Sequence, residues 1–408
     1  MFKLVLNTDK NGYPIQNFRE ELKSSITEIL DFLGIQYSTI PIDDARGSKD
    51  EIFPIEIKYT QHRWRECPCL LNSYPKVIDY LKSNAKLVFW NIEEGYNAFN
   101  KEIYFDFKKR KLLRNFILVS NDCNLPKIID KNEIPELTQK NNISLPYYEF
   151  LIQKIIKNKD NLGLDHPKEK LFIFPNNKLR PYRQYIIHLL NKNNLTSKGF
   201  ISARYILSRH ESLEKNNKKL KKIFPKEIVE EMQKTIIRNF PLPENNFNPI
   251  SPLEIDKKEF DDWGHQQILF YLKDYYEKVY FSLVCESIID MRKDLNMASF
   301  SEKLFIPISC KKPFLYMSHQ YNLKTLRKYG YKTFHPHINE DYDTVDTLQK
   351  RAQEIVQELK RLSELPENKL EELYYDKLKP ICNHNLNVLL NRSFHKEFYN
   401  LLDKIKRY

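Results

Sequence analysis

The sequence predicts an α/β protein of two doubly wound halves followed by a helical tail, and three observations predict it. Short apolar runs alternate with helix-period segments through residue 345, the alternation restarts after a polar break near 158–170, and strand signals stop at about 344. The first half reads as FKLVLN, a helix over 18–34, YSTIPI, a helix around 75–83, KLVFWN, FILVSND and a helix over 147–157. NKDNLGLDHPKEK at 158–170, with Gly, Pro and mixed charge, is the expected linker. The second half reads as LFIFPNN, a helix over 181–193, FISARY, a Lys-rich segment at 214–222, a helix over 263–276, YFSLVCES, a helix over 302–309, KPFLYM, a helix over 321–329 and YKTF. The boundaries are therefore 1–165, 166–345 and a helical 346–408, where TLQKRAQEIVQELKRLSEL keeps one apolar stripe.

Composition bounds the class. With 408 residues, 41% of them hydrophobic and 13% aromatic, the chain has apolar surface enough for two cores, which excludes a small module or a globally disordered protein. Lys plus Arg number 66 against 54 Asp plus Glu, a net charge of +12 that suits an anionic partner such as a nucleotide or nucleic acid. The same excess is also what solvated lysines give in a Lys- and Asn-rich chain, and KNNKKLKK at 215–222 reads equally well as a solvated face. The six Cys are scattered, which fits a reducing compartment. MFKLVLNT reads as a strand too brief for a signal-peptide core, and no apolar run reaches 18 residues, so a cytoplasmic protein is expected.

Familiar glycine cradles for phosphate are absent, and eight Gly leave little room for one. A nucleotide would have to be held by side chains and helix starts. In LFIFPNNKLRPYRQYIIHLL a buried-looking strand runs into a helix that opens with Arg180, Pro181 and Arg183; two cations there oppose the helix dipole unless an anion sits on them. YFSLVCES presents Glu286 and Ser287 at the carboxyl end of an apolar strand, where ligands collect in open α/β sheets. SFSEKLFIPISCKKPFLYM offers Ser301 as a cap with Glu302 and Lys303 in the first turn; a carboxylate there suits ribose hydroxyls and an ammonium a phosphate, although plain capping calls for the same residue types.

Taken in order, R-x-x-R after a strand, Y-F-x-L-x-x-E-S, and S-E-K-L-F before a strand resemble the nucleotide-binding half of alpha-1,3-fucosyltransferase-type glycosyltransferases. That family's motif ends a strand in Glu-Asn-Ser and continues to Thr-Glu-Lys-Leu. The run also resembles phage-associated glycosyltransferase-like proteins that read SEK, KKPF and LRKYGYKTF. The likeness spans roughly 170–345, with Ser287 directly following Glu286 and Ser301 in place of Thr. It implies a GT-B-like fold, two Rossmann-like domains facing a cleft, the first for the acceptor and the second for a nucleotide diphosphate sugar. It further implies that Arg183 contacts the diphosphate, Glu302 the ribose and Lys303 a phosphate, with Arg180 and Ser301 beside them and Glu286 and Ser287 near the sugar. Inverting hexosyl or fucosyl transfer follows by resemblance, with the nucleotide sugar as substrate and neither cofactor nor metal required.

Transfer to a hydroxyl needs a base, and Glu93 and Glu94 in KLVFWNIEEGY follow a strand of the first half, where each raises the other's pKa; Glu94 is preferred, and a polar loop is the alternative. Asp341-Tyr342-Asp343 matches a metal-holding D-x-D but lies where this fold would not use one. Cys67-Pro68-Cys69 with His62 is too sparse for zinc, and Trp64 suits either stacking or the edge of a core. The acceptor is a glycan or a modified base of DNA. A non-catalytic nucleic-acid-binding or virion-associated protein on the same fold is the competing class.

Overall fold

The computed structural model describes residues 166–176, 180–202, 220–239, 272–286 and 300–407, and in the first half residues 2–6, 30–31, 34–41, 44–46, 51–56, 86–91, 109, 111, 116–120, 142–144, 149, 152–153 and 156, with 218 besides. Its contacts divide the chain into two compact units. The first holds Met1–Phe150, Asp294–Phe300 and Arg392–Tyr408, and the second Leu151–Lys293 and Ser301–Asn391. The segment from 346 to 391 thus belongs to the second unit, and the last helix returns to the first.

The first unit contains β1 (Phe2–Leu6), β2 (Tyr37–Pro41), β3 (Glu51–Glu56), β4 (Lys86–Asn91), β5 (Phe116–Ser120) and β6 (Asn142–Ser144). They form a parallel sheet in the order β2-β1-β3-β4-β5-β6. β3 was not expected from the sequence, because EIFPIE carries Pro54 in mid-strand, a residue that cannot donate to the ladder. The β1 register on β3 ends at Ile52, so Pro54 faces a partner only in β4, opposite Val88.

The second unit contains β7 (Lys170–Phe174), β8 (Gly199–Ile201), β9 (Val279–Cys285) and β10 (Phe314–Met317), parallel in the order β10-β9-β7-β8. Every residue of β9 and β10 is buried, which is what a strand covered on both faces requires and why these runs lack polar alternation. Gly199 opens β8 against the face of the Phe172 ring, where an added Cβ would stand 2.4 Å from ring carbon.

Helices connect these strands: α1 (Pro181–Lys192), α2 (Lys226–Asn239), α3 (Glu302–Ser309) and α4 (Asn322–Lys328). Then come α5 (Leu348–Ser363), α6 (Glu367–Glu372), a π-helical turn (Leu373–Leu378), α7 (Lys379–Asn391) and α8 (Phe394–Arg407), the helical region expected after 346. One expected strand is absent. Residues 331–334 (YKTF) have no ladder, because the Lys332 N–H goes to Asn385 Oδ1 and the Phe334 N–H to Glu340 Oε1, while Tyr331 and Phe334 are still buried.

The chain is α/β with two parallel sheets, as the alternation predicts. In the second sheet β7 leads through α1 outward to β8, and the chain then returns to place β9 on the other side of β7. The carboxyl ends of β7 and β9 therefore flank the point where strand order reverses, the place where open α/β sheets leave a crevice.

Candidate functional site

The site is built on that reversal. Beyond β7, Asn176 is 2% exposed; its backbone N–H goes to Ser202 Oγ at 2.8 Å and its Nδ2 to the Phe174 carbonyl at 3.1 Å. Among the described residues its Oδ1, which is buried, has no hydrogen-bond partner. Arg180 stands at the start of α1 in extended backbone with Pro181 behind it, and its Nε is likewise buried and unpartnered. α1 has no side-chain cap and no acidic residue in its first turn. The positive end of its dipole thus lacks both of the usual local compensations, and an arginine is added to it.

Arg183, one turn into α1, is 3% exposed, and its Nη2 and Nε donate to the Cys285 carbonyl at 2.8 and 3.3 Å. This bond ties the start of α1 to the carboxyl end of β9. The next residue, Glu286, is 6% exposed and has both carboxylate oxygens engaged. Oε2 accepts from Ser301 Oγ at 2.5 Å, and Oε1 from the Ser301 N–H at 3.3 Å and the Tyr316 hydroxyl at 2.7 Å. Ser301 in turn caps α3, its Oγ accepting the Lys303 N–H at 3.3 Å. The starts of α1 and α3 are thereby fastened to the same strand end.

Glu302 and Lys303 pair across 2.5 Å with part of each side chain in solvent, and Lys303 Nζ also reaches Ser301 Oγ at 3.5 Å. Burial pushes the Cys285 thiol to about 11, and the opposing pulls of Arg183, Glu286 and Lys303 all reach it, which puts the three charged groups around one strand end. The thiol is a protonated, inert filler there. Tyr182 is pushed up to about 12, chiefly by burial, with the Cys285 thiol and the Arg351 guanidinium as neighbours. Tyr316 is raised well above its ordinary value by burial and by the Glu286 carboxylate it donates to, so it is a fixed hydrogen-bond donor.

Of the residues the sequence singles out, the structure brings together Arg180, Arg183, Glu286, Ser301, Glu302 and Lys303 at the ends of β7 and β9. Ser287, Glu93 and Glu94 lie outside the described residues, as do His62, Trp64, Cys67 and Cys69. The D-x-D run is used otherwise. Asp343 Oδ1 and Oδ2 accept the Leu323 and Lys324 N–H groups at 3.0 and 3.2 Å, and Tyr342 accepts the Tyr316 N–H at 3.3 Å through its hydroxyl. Among the described residues no group of three or more His, Cys, Asp or Glu is arranged to hold a metal ion. Three contributors escaped the sequence reading: Asn176, Tyr316 and Arg351. Arg351 is 2% exposed and ties the Tyr342, Ser318 and Val345 carbonyls together. Asn176 could have been found as the first polar residue after an apolar strand and a Pro; the other two look like ordinary core and helix-surface residues.

Neither a family model nor a curated protein matches the sequence. Solved structures do. One is a crystal structure of the DNA-modifying enzyme beta-glucosyltransferase, determined with and without its substrate uridine diphosphoglucose; identity is 11%, the TM-score 0.47, and 99% of this chain and 100% of that one are covered. Another is a glycosyltransferase from Rickettsia africae ESF-5, at 10% identity and TM-score 0.42, covering 99% of this chain and 97% of the other. Among the described residues no helix is long and apolar enough to cross a membrane.

Proposed function

We propose that the chain is a glycosyltransferase whose second unit binds a nucleotide diphosphate sugar at the β7/β9 strand ends. One observation carries the reading: at the point of strand-order reversal, Arg180 Nε and Asn176 Oδ1 are buried and unpartnered beside an uncapped helix start. A buried polar group left unpaired costs about 1–3 kcal/mol, so such a pair is kept where a ligand completes it. Arg180, the positive end of the α1 dipole and Lys303 hold the diphosphate, and Glu302 takes ribose hydroxyls. Arg183 and Glu286, whose polar atoms are given to Cys285, Ser301 and Tyr316, position the two helix starts.

In the reaction the acceptor oxygen attacks the anomeric carbon, the bond from that carbon to the diphosphate oxygen breaks, and the hydroxyl proton passes to a carboxylate, for which Glu94, with Glu93 beside it, is the candidate. Direct displacement inverts the anomeric centre. The fixed positive groups on the diphosphate stabilise the leaving group, so transfer proceeds without a metal. The acceptor is a glycan hydroxyl or a hydroxyl on a modified DNA base. Lys218, Lys221 and Lys222 are exposed cations suited to a polyanion, and duplex binding that weakens steeply with salt selects DNA.

The deciding experiment is a thermal-shift screen with UDP, GDP, CMP and dTDP and their sugars, with and without EDTA. A ligand that binds only the folded chain raises its melting temperature. An EDTA-insensitive rise with one diphosphate, lost in Lys303→Ala, is expected. The same rise in Lys303→Ala removes that residue from the site, and no rise with any nucleotide transfers the protein to the non-catalytic class.

A further inference from the structure

The loop after β10 carries a feature the proposed site does not use. Tyr321 has φ 65° and ψ 17°, left-handed backbone that crowds an aromatic residue's Cβ and that Gly or Asn adopts more readily. The residue is 43% exposed, although Ser318, His319, Asn322 and Leu323 around it in the chain are buried.

The conformation is imposed by many bonds. The Tyr321 N–H donates to the Asp343 carbonyl at 2.8 Å, and the Tyr321 carbonyl accepts from the Thr325 N–H at 2.9 Å and its Oγ1 at 3.1 Å. Gln320 Nε2 holds the Thr344 carbonyl, and the Arg351 guanidinium holds that of Ser318. A strained backbone so fully determined, whose exposed product is one aromatic ring, belongs to a binding surface rather than to the core. The loop leaves the carboxyl end of β10, the strand beside β9, and Tyr316 of β10 bonds Glu286.

We infer that Tyr321 is the stacking platform for the sugar ring of the bound nucleotide sugar, an inference that rests on the proposed function. A pyranose presents a face of C–H groups to an aromatic ring and hydroxyls around its edge. One face of the ring carries the Lys324 ammonium, 5.8 Å from the centroid, so the sugar takes the opposite face, with the phenol hydroxyl at its edge. A nucleobase would need groups reading its edge, and Gln320, Thr325 and Asp343 have given polar atoms to backbone instead.

The test is calorimetric titration of the full chain and of Tyr321→Ala, Tyr321→Gly and Tyr321→Phe, each with UDP, UDP-glucose, GDP and GDP-mannose. The sugar conjugate of the preferred nucleotide should bind the native chain more tightly than the bare diphosphate. Tyr321→Ala and Tyr321→Gly should erase that margin, about fivefold, and leave the diphosphate unaffected, while Tyr321→Phe keeps most of it. Glycine relieves the left-handed backbone, so its melting temperature should not fall and loss of folding cannot explain the result. Equal loss for diphosphate and conjugate would place the ring on the nucleotide and overturn the inference, as would no loss. Binding that depends on Lys303 but not on Tyr321 overturns this inference alone; failure of the native chain to bind any of the four overturns the proposed function with it.

Discussion

Two helices start at the same end of the same sheet and are finished in opposite ways. α3 is closed by its own chain: Ser301 caps it, Glu302 supplies a negative charge in its first turn, and Glu286 fastens the cap. α1 begins with Arg180, has no side-chain cap and no acidic residue in its first turn, and keeps a buried unpartnered Nε there. A helix start that stability alone had shaped would look like the first. The second is arranged for a negative charge from outside, so the contrast separates a start completed by the protein's own bonds, from which Glu302 and Lys303 still face the ligand, from one that leaves Arg180 for the ligand to complete.

The largest effect should come from a bond the protein completes itself. Arg183→Ala removes the charged bonds to the Cys285 carbonyl and empties a buried volume, and we expect a loss of about 3 kcal/mol, read as a lower urea midpoint. If the midpoint hardly moves while nucleotide affinity collapses, Arg183 is a ligand group and the division drawn here is wrong. Next is the group left for the ligand. Arg180→Asp gives α1 the acidic cap it lacks, so stability should rise by about 1 kcal/mol while diphosphate affinity falls by at least about tenfold. A variant that is both less stable and fully able to bind would dissolve the contrast. Ser301→Ala removes the cap of α3 and leaves Glu286 short of a donor; a loss of about 1–2 kcal/mol is expected in the same denaturation series.

Much of this was legible in the sequence, and the reason is physical. Strands covered on both faces are continuous apolar runs, and the polar residues that follow them, Glu286 directly after β9 and Arg180 at the start of the helix after β7, stand where ligands gather whatever the detailed packing. Ser301 reads as a cap because capping depends on local spacing alone. What escaped depends on contacts distant in sequence. Pro54 hid β3, the YKTF run lost its ladder to Asn385 and Glu340, and the D-x-D turned out to place Asp343 on the backbone N–H groups of α4. Which of the two arginines is spent on a carbonyl and which is left open is also a matter of geometry, invisible in R-x-x-R.

The smallest effect sharpens the comparison at the other end of α1. His188 lies there, 6% exposed, with Nδ1 at 3.2 Å from Thr235 Oγ1 and Nε2 at 3.5 Å from Glu231 of α2. Burial lowers its pKa first, Lys192 lowers it further, and Glu231 opposes them without prevailing. A base whose folded-state pKa lies below the unfolded value of about 6.5 is bound as the neutral imidazole, so its contribution is complete above that pH and is lost as pH falls below it toward the folded value. The carboxyls of Glu340 and Asp343, raised chiefly by burial, respond in the opposite direction, since protonation favours their folded forms. The difference between the native chain and His188→Asn, measured as melting temperature from pH 8 to pH 5, cancels those shared terms. It should be constant above about 6.5 and shrink below. α3 carries no histidine, and a pH-independent difference would show that α1 is anchored to α2 by packing alone.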